Sequence, residues 1–179
     1  MQSVTLRNAV VGDIAAVEAL IARSARGLST REYRPAQIEG ALRGAFGVDT
    51  QLFTDRTYYV ALDGAAIVGC GGWSYRATLF GGDARSGRDA SPLDPRSQAA
   101  RIRAFFIEPA YARRGIASQI LDRCEGEAAR QGFAAAELMA TLPGVKFYAA
   151  RGYVAGGQIR YDVGLGEAIE FIPMRKDWR

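Results

Sequence analysis

Apolar positions change their period several times along the chain, and each change marks out an element. Residues 3–8, SVTLRN, alternate and predict a short strand. GDIAAVEALIARSAR then sets Ile14, Val17, Leu20 and Ile21 on one helical face behind Asp13, a residue type suited to the N-cap. A second helix is expected from Pro35 to about Leu42, with Gly44 and Gly47 ending it. RTYYVAL and AAIVGCGGWSYR are runs rich in β-branched and aromatic residues, joined by Asp63-Gly64, which suits the positive φ angles of a tight hairpin. In the second run Gly69, Gly71 and Gly72 lie inside a strand pattern, which predicts a bulge or a close approach to the backbone.

Residues 77–98 have no period and are rich in Gly, Asp, Ser and Pro, so they read as a long loop of the kind that is either a functional lid or mobile. AARIRAFFIEP reads as a largely buried strand that Pro109 must end, and RRGIASQILDRCEGEAARQG as a helix with Ile116, Ile120 and Cys124 in one row. FAAAELMAT is a further strand, PGVKFYAARG a short helix, and YVAGGQIRYDVG with EAIEFIPMRK a closing pair of strands. The order predicts an α/β (α+β) fold: a mixed central sheet of about seven strands with helices on both faces. The strands at 101–107 and 133–141, joined through the helix at 113–131, should be parallel by a right-handed crossover. The turn before that helix then sits at the C-terminal edge of the sheet, where α/β folds bind ligands.

Composition narrows the chemistry. With 179 residues, 49% of them hydrophobic, one domain spanning 1–179 is the expectation. There is no long apolar run, and MQSVTLRNAV lacks the order of a signal peptide, so a cytoplasmic protein without a membrane partner is expected. Cys70 and Cys124 have neither disulfide nor metal-ligand spacing, and no metal site is expected. Histidine is absent, which removes the usual base at neutral pH and every Ser-His or Cys-His arrangement. The net charge is +4, and of 23 basic residues only Lys146 and Lys176 are lysines. The arginines are scattered, which argues against nucleic acid; a modest positive excess suits a small anion such as a nucleotide.

The stretch EPAYARRGIASQIL puts a proline, two arginines and a glycine at the mouth of a helix. A helix N-terminus offers free N–H groups and partial positive charge to an anion, and glycine lets a phosphate come close to the backbone. IEPAYARRGIA, Ile107 to Ala117, resembles motif A of the GNAT superfamily of N-acetyltransferases, V-x-P-x-Y-R-x-x-G-x-G/A, at Pro109, Tyr111, Gly115 and Ala117. It departs at Ala112, where that family most often has Arg or Gln, with Arg113 beside it. KFYAARGYV, Lys146 to Val154, resembles motif B, FY-x-x-x-GF, and the order of elements is similar along nearly the whole chain.

The resemblance implies the GNAT fold with its central parallel strands splayed, and an N-acetyltransferase that uses acetyl-CoA. A primary amine on a small molecule or peptide would attack the thioester directly. The cofactor would lie along Phe105, Phe106 and Ile107, with its pyrophosphate on Ala112, Arg113, Arg114, Gly115, Ile116, Ala117 and Ser118. Tyr148 would be the general acid for the departing thiolate, and its pKa of about 10 against about 8.5 for a thiol suits the task. With no histidine, Glu108 and Glu137 are the candidate bases. Trp73 is a candidate for the acceptor pocket or for the core, and Tyr33 lies in a stretch expected to set the substrate. A noncatalytic acyl-CoA-binding sensor is the alternative. The exposed closing strands leave a homodimer open.

Overall fold

The computed structural model describes residues 3–178. In chain order its elements are β1 (Thr5–Asn8), α1 (Ile14–Leu28), α2 (Pro35–Leu42), α3 (Thr50–Thr54), β2 (Tyr58–Asp63), β3 (Ala66–Ser74), β4 (Ala100–Ile107), α4 (Ile116–Arg130), β5 (Ala135–Thr141), α5 (Val145–Ala150), β6 (Val154–Ala155), β7 (Ile159–Gly164) and β8 (Glu167–Asp177). They build one eight-stranded sheet in the order β1-β2-β3-β4-β5-β8-β6, with β7 also on β8. Every pairing is antiparallel except β4 with β5, which is parallel as the crossover predicts. No helix among the described residues is long and apolar enough to cross a membrane.

Two apolar cores lie on opposite faces of the sheet. On one, Ile116, Ile120, Leu121 and Cys124 of α4 pack with Ile102, Ala136, Leu138 and Tyr148. On the other, Val17, Leu20 and Ile21 of α1 and Ile38 of α2 pack with Val60, Phe106 and Phe171. The predicted helix stripes supply these contacts, because residues three and four apart share a face.

The tri-glycine run does mark a bulge. Cys70 stands opposite Phe106 and Gly72 opposite Arg103, so Gly71 alone faces both Ala104 and Phe105. Ala104 takes up the extra residue with φ 54°, in the left-handed region that only glycine enters without strain. The insertion reverses the side-chain alternation of β4. Before it Ala100 and Ile102 face α4; after it Phe105 and Ile107 do, while Ala104 and Phe106 face α1. A Cβ on Gly71 would meet the Phe105 ring at 2.7 Å.

Four details differ from the sequence reading. Asp13 does not cap α1; its carboxylate takes the Arg7 guanidinium at 2.6 and 2.9 Å and the Val10 N–H at 2.8 Å. The five-residue helix α3, capped by Asp49 through the Gln51 N–H at 3.0 Å, is too short to show a period. The stretch read as one strand over 153–164 is split into β6 and β7: Gly156 N–H still donates to Pro173 O at 2.7 Å, and the chain then leaves β8 until Ile159. The 77–98 loop is strapped down: Thr78 Oγ1 donates to Asp89 O at 2.6 Å, and Arg103, buried on β4, donates to Thr78 O at 3.2 Å and Gly81 O at 2.8 Å.

Gly71→Ala should lower stability by about 1–3 kcal/mol, because the Phe105 ring has to leave its rotamer. Ala104→Gly should instead raise stability by about 1 kcal/mol by relieving the left-handed backbone. Thermal unfolding of the two variants checks both signs, and a stabilised Gly71→Ala would overturn the bulge geometry.

Candidate functional site

The parallel strands stay together for only two residue pairs, Ala100 with Ala136 and Arg101 with Glu137. Beyond them β5 continues along β8 as far as Thr141, while β4 bulges toward β3. A gap therefore opens between β4 and β5 toward their C-terminal ends. Its closed end is locked by Glu137, which accepts from Arg101 and, at 2.7 Å, from Arg175.

The edge of β4 at the gap carries backbone groups that a strand partner would normally take. Glu108 N–H donates back to Val68 O at 2.9 Å, and the alternation of ladder bonds turns Phe106 to β3 and leaves Phe105 and Ile107 facing the gap. Phe106 is thus a ladder and core residue on the α1 face, not a free edge as expected. The Ile107 N–H is already held, by Ser24 Oγ of α1 at 3.1 Å. Ser24 went unnoticed in sequence because one serine on an apolar helix face has no signature.

At the open end, Pro109–Tyr111 forms a single 3-10 turn that leads to α4. Arg113 at φ 66° and Gly115 at φ 80° are both left-handed, and the α4 amides consequently point outward without a capping side chain. From Arg113 to Ser118 no backbone N–H has an acceptor among the described residues. Ala112, expected to share the phosphate contacts, is outside this cradle because its N–H donates to Pro109 O at 3.2 Å. Nothing stands within 4 Å of where a Gly115 Cβ would be, so the cradle is open. Tyr111 braces it by donating to Asp63 Oδ2 at 2.5 Å, and Arg114 lies over the Tyr111 ring at 4.7 Å. Arg113 makes no ion pair among the described residues.

Tyr148 of α5 lies on the α4 face with its ring edge-on to Phe105, centroids 6.2 Å apart, and against Phe147 and Tyr153. Its hydroxyl has no hydrogen-bond partner among the described residues, and burial, with Cys124 nearby, pushes the phenol well above its ordinary pKa. The group stays protonated across the physiological range. Glu108, on the α1 side of the gap's open end, accepts from Arg23 Nε at 2.9 Å.

The remaining two expected substrate residues are built into the fold. Trp73 is buried among Tyr75, Phe133 and the α4 core, with its Nε1–H unpartnered. Tyr33 is buried, donates to Glu170 O at 2.6 Å and accepts the Leu142 N–H at 2.8 Å, so its hydroxyl is fully engaged.

An uncapped helix opening and a parted parallel pair with a protonated phenol beside it are accompanied by a family match: a model described as an acetyltransferase (GNAT) domain matches residues 89–178, half of the chain. The chain belongs to that family, whose fold supports acyl-CoA-dependent acetyl transfer. Similar solved structures include the GCN5-related N-acetyltransferase from Rhodopseudomonas palustris, at 20% identity over 99% of this chain and 97% of that one with a TM-score of 0.72. The PaiA N-acetyltransferase from Thermoplasma acidophilum, solved with coenzyme A, is 13% identical over 98% and 99% with a TM-score of 0.66. The ribosomal-protein-S18-alanine N-acetyltransferase from Escherichia coli is 12% identical over 98% and 94%, TM-score 0.62. No curated protein matches the chain by sequence.

Tyr33→Phe leaves a part-buried carbonyl and a part-buried N–H without their partner and should cost about 1–2 kcal/mol. The melting midpoint should fall by roughly 2–4 °C for each kcal/mol. Calorimetry reads this; an unchanged midpoint with a raised KM for an amine would restore Tyr33 to the acceptor site.

Proposed function

We propose that the protein transfers an acetyl group from acetyl-CoA to a primary amine on a small molecule or peptide, by direct attack, with Tyr148 as general acid. The observation that carries this reading is the run of unpartnered amides from Arg113 to Ser118 at the mouth of α4, beside a gap edged by Phe105 and Tyr148. Six consecutive N–H groups and a helix dipole suit a diphosphate, with Arg113 as a free cation next to them. The Phe105 and Ile107 backbone suits a pantetheine arm laid along β4 as an added strand, once Ser24 releases the Ile107 N–H. Acetyl-CoA, when bound, supplies an acyl group activated as a thioester.

Acid and base then fall on opposite faces of the sheet. Tyr148 faces the α4 side, where the cradle is, and gives its proton to the departing sulfur. The amine enters from the α1 side. Glu108 stands at the open end of the gap and Glu137 at the closed end between two guanidiniums, so we assign Glu108 to take the amine's proton, with Arg23 loosening its hold.

Titration calorimetry should detect coenzyme A, and release of its thiol in the presence of a panel of amines should detect turnover. Tyr148→Phe should lower kcat by about 10²–10⁴-fold and leave coenzyme A affinity unchanged. Because the phenol titrates above its ordinary value, kcat should show no acid-loss limb below about pH 10. Binding without turnover on every amine would mean a sensor instead, and no binding at all would remove the cofactor from the account.

A further inference from the structure

A group of charged side chains surrounds a cavity of about 250 Å³ between α3, the N-terminal half of β4 and the 77–98 segment. Arg76, Arg85, Arg88 and Arg103 line it, together with Asp49. Three of the four guanidiniums have carboxylates. Arg76 is held by Asp55 at 2.7 Å, and Arg103 and Arg88 share Asp49 Oδ2, each at 2.9 Å; Arg88 also reaches the exposed Asp83 at 3.2 Å. Arg85 has none. Its guanidinium lies over the Phe80 ring at 4.0 Å and donates one bond, to Phe80 O at 3.1 Å, while its Nε–H is buried with no acceptor.

Four guanidiniums meet three carboxylates here, Asp49, Asp55 and Asp83, which leaves one positive charge in excess. One extra negative charge with two acceptor oxygens balances the cavity, and the fork of a guanidinium matches a carboxylate. A phosphate dianion would overshoot. The cavity also lies on the α1 face of the sheet: Arg103 immediately precedes the Ala104 bulge, and Phe80 packs on Phe171 and Tyr161 of that core. This is the face from which the amine would enter.

We propose that this cavity is a carboxylate-binding subsite for the acceptor, so that the preferred amines are amino acids or other amino-carboxylates and Arg85 is the residue that selects them. The inference rests on the acetyl-transfer reading for its role, but the binding it requires does not. Two matched probes separate these, 4-aminobutyrate and butylamine, which differ in the carboxylate. In thermal unfolding without cofactor, 4-aminobutyrate should raise the midpoint and butylamine should not. Arg85→Met, which keeps the bulk of a side chain at a partly exposed loop position, should abolish the difference. In acetyl transfer, kcat/KM should favour 4-aminobutyrate by about tenfold or more, the worth of a charged hydrogen bond, and Arg85→Met should bring the two amines together.

If no amine is acetylated, a carboxylate-specific shift lost in Arg85→Met still establishes the subsite, and the failure falls on the transfer reading alone. A shift with inorganic phosphate equal to that with 4-aminobutyrate would overturn the carboxylate assignment. Equal responses to the two probes in the wild type would overturn the subsite and leave the arginines as clamps on the 77–98 segment.

Discussion

One residue too many on β4 sets the architecture of the site. An antiparallel ladder admits an extra residue only by letting one position leave the β region, and here Ala104 does so opposite Gly71. Three consequences follow. The strand bends away from β5, so a parallel pair that begins in register stops after two residues. The alternation is reversed, so Phe105 and not Phe106 meets Tyr148. The backbone beyond the bulge, now without a strand on one side, has donors to offer a ligand. Tyr58 secures the strained position, its hydroxyl donating to Ala104 O at 2.7 Å, and the absence of a side chain at Gly71 leaves room for the displaced ring.

The second constraint is the opening of α4. Most helices cap their first amides with a side chain, whereas here, after left-handed residues at Arg113 and Gly115, the amides of Ile116, Ala117 and Ser118 have no cap. A left-handed arginine costs free energy, and such strain is found where the backbone has to face a ligand. The brace from Tyr111 to Asp63 and the packing of Arg114 over Tyr111 hold the turn to the β2–β3 hairpin before anything binds. The site is therefore pre-organised on one face, through the cradle, and adjustable on the other, where Ser24 occupies a donor that a ligand would need.

Most of this layout was legible in the sequence, because periodicity and turn residues report local geometry. The hairpin at Asp63-Gly64, the bulge in the glycine run, the parallel crossover and the helix-opening turn all rest on such signals. What could not be read were choices made by partners distant in sequence. Phe105 and Phe106 are adjacent and chemically identical, and only the left-handed Ala104 decides which faces the gap. The sequence points to Tyr33 as helping to set the substrate and leaves Trp73 between pocket and core, because an aromatic residue in a loop or beside glycines carries no mark of the carbonyls or rings that surround it. Arg103 gave no signal at all, since nothing in a strand of alternating residues announces that a guanidinium will be buried against Asp49, 54 positions away.

The burial of the two cysteines has a practical side. Cys70 and Cys124 are both wholly inside the protein, and burial pushes the first thiol up to about 12 and the second well above its usual value. Neither presents a thiolate to a reagent in neutral solution. The folded chain is accordingly silent to thiol-specific dyes, so any colour that develops with them reports liberated coenzyme A or unfolding, and a cysteine introduced at an exposed position would be a unique handle for a spectroscopic label.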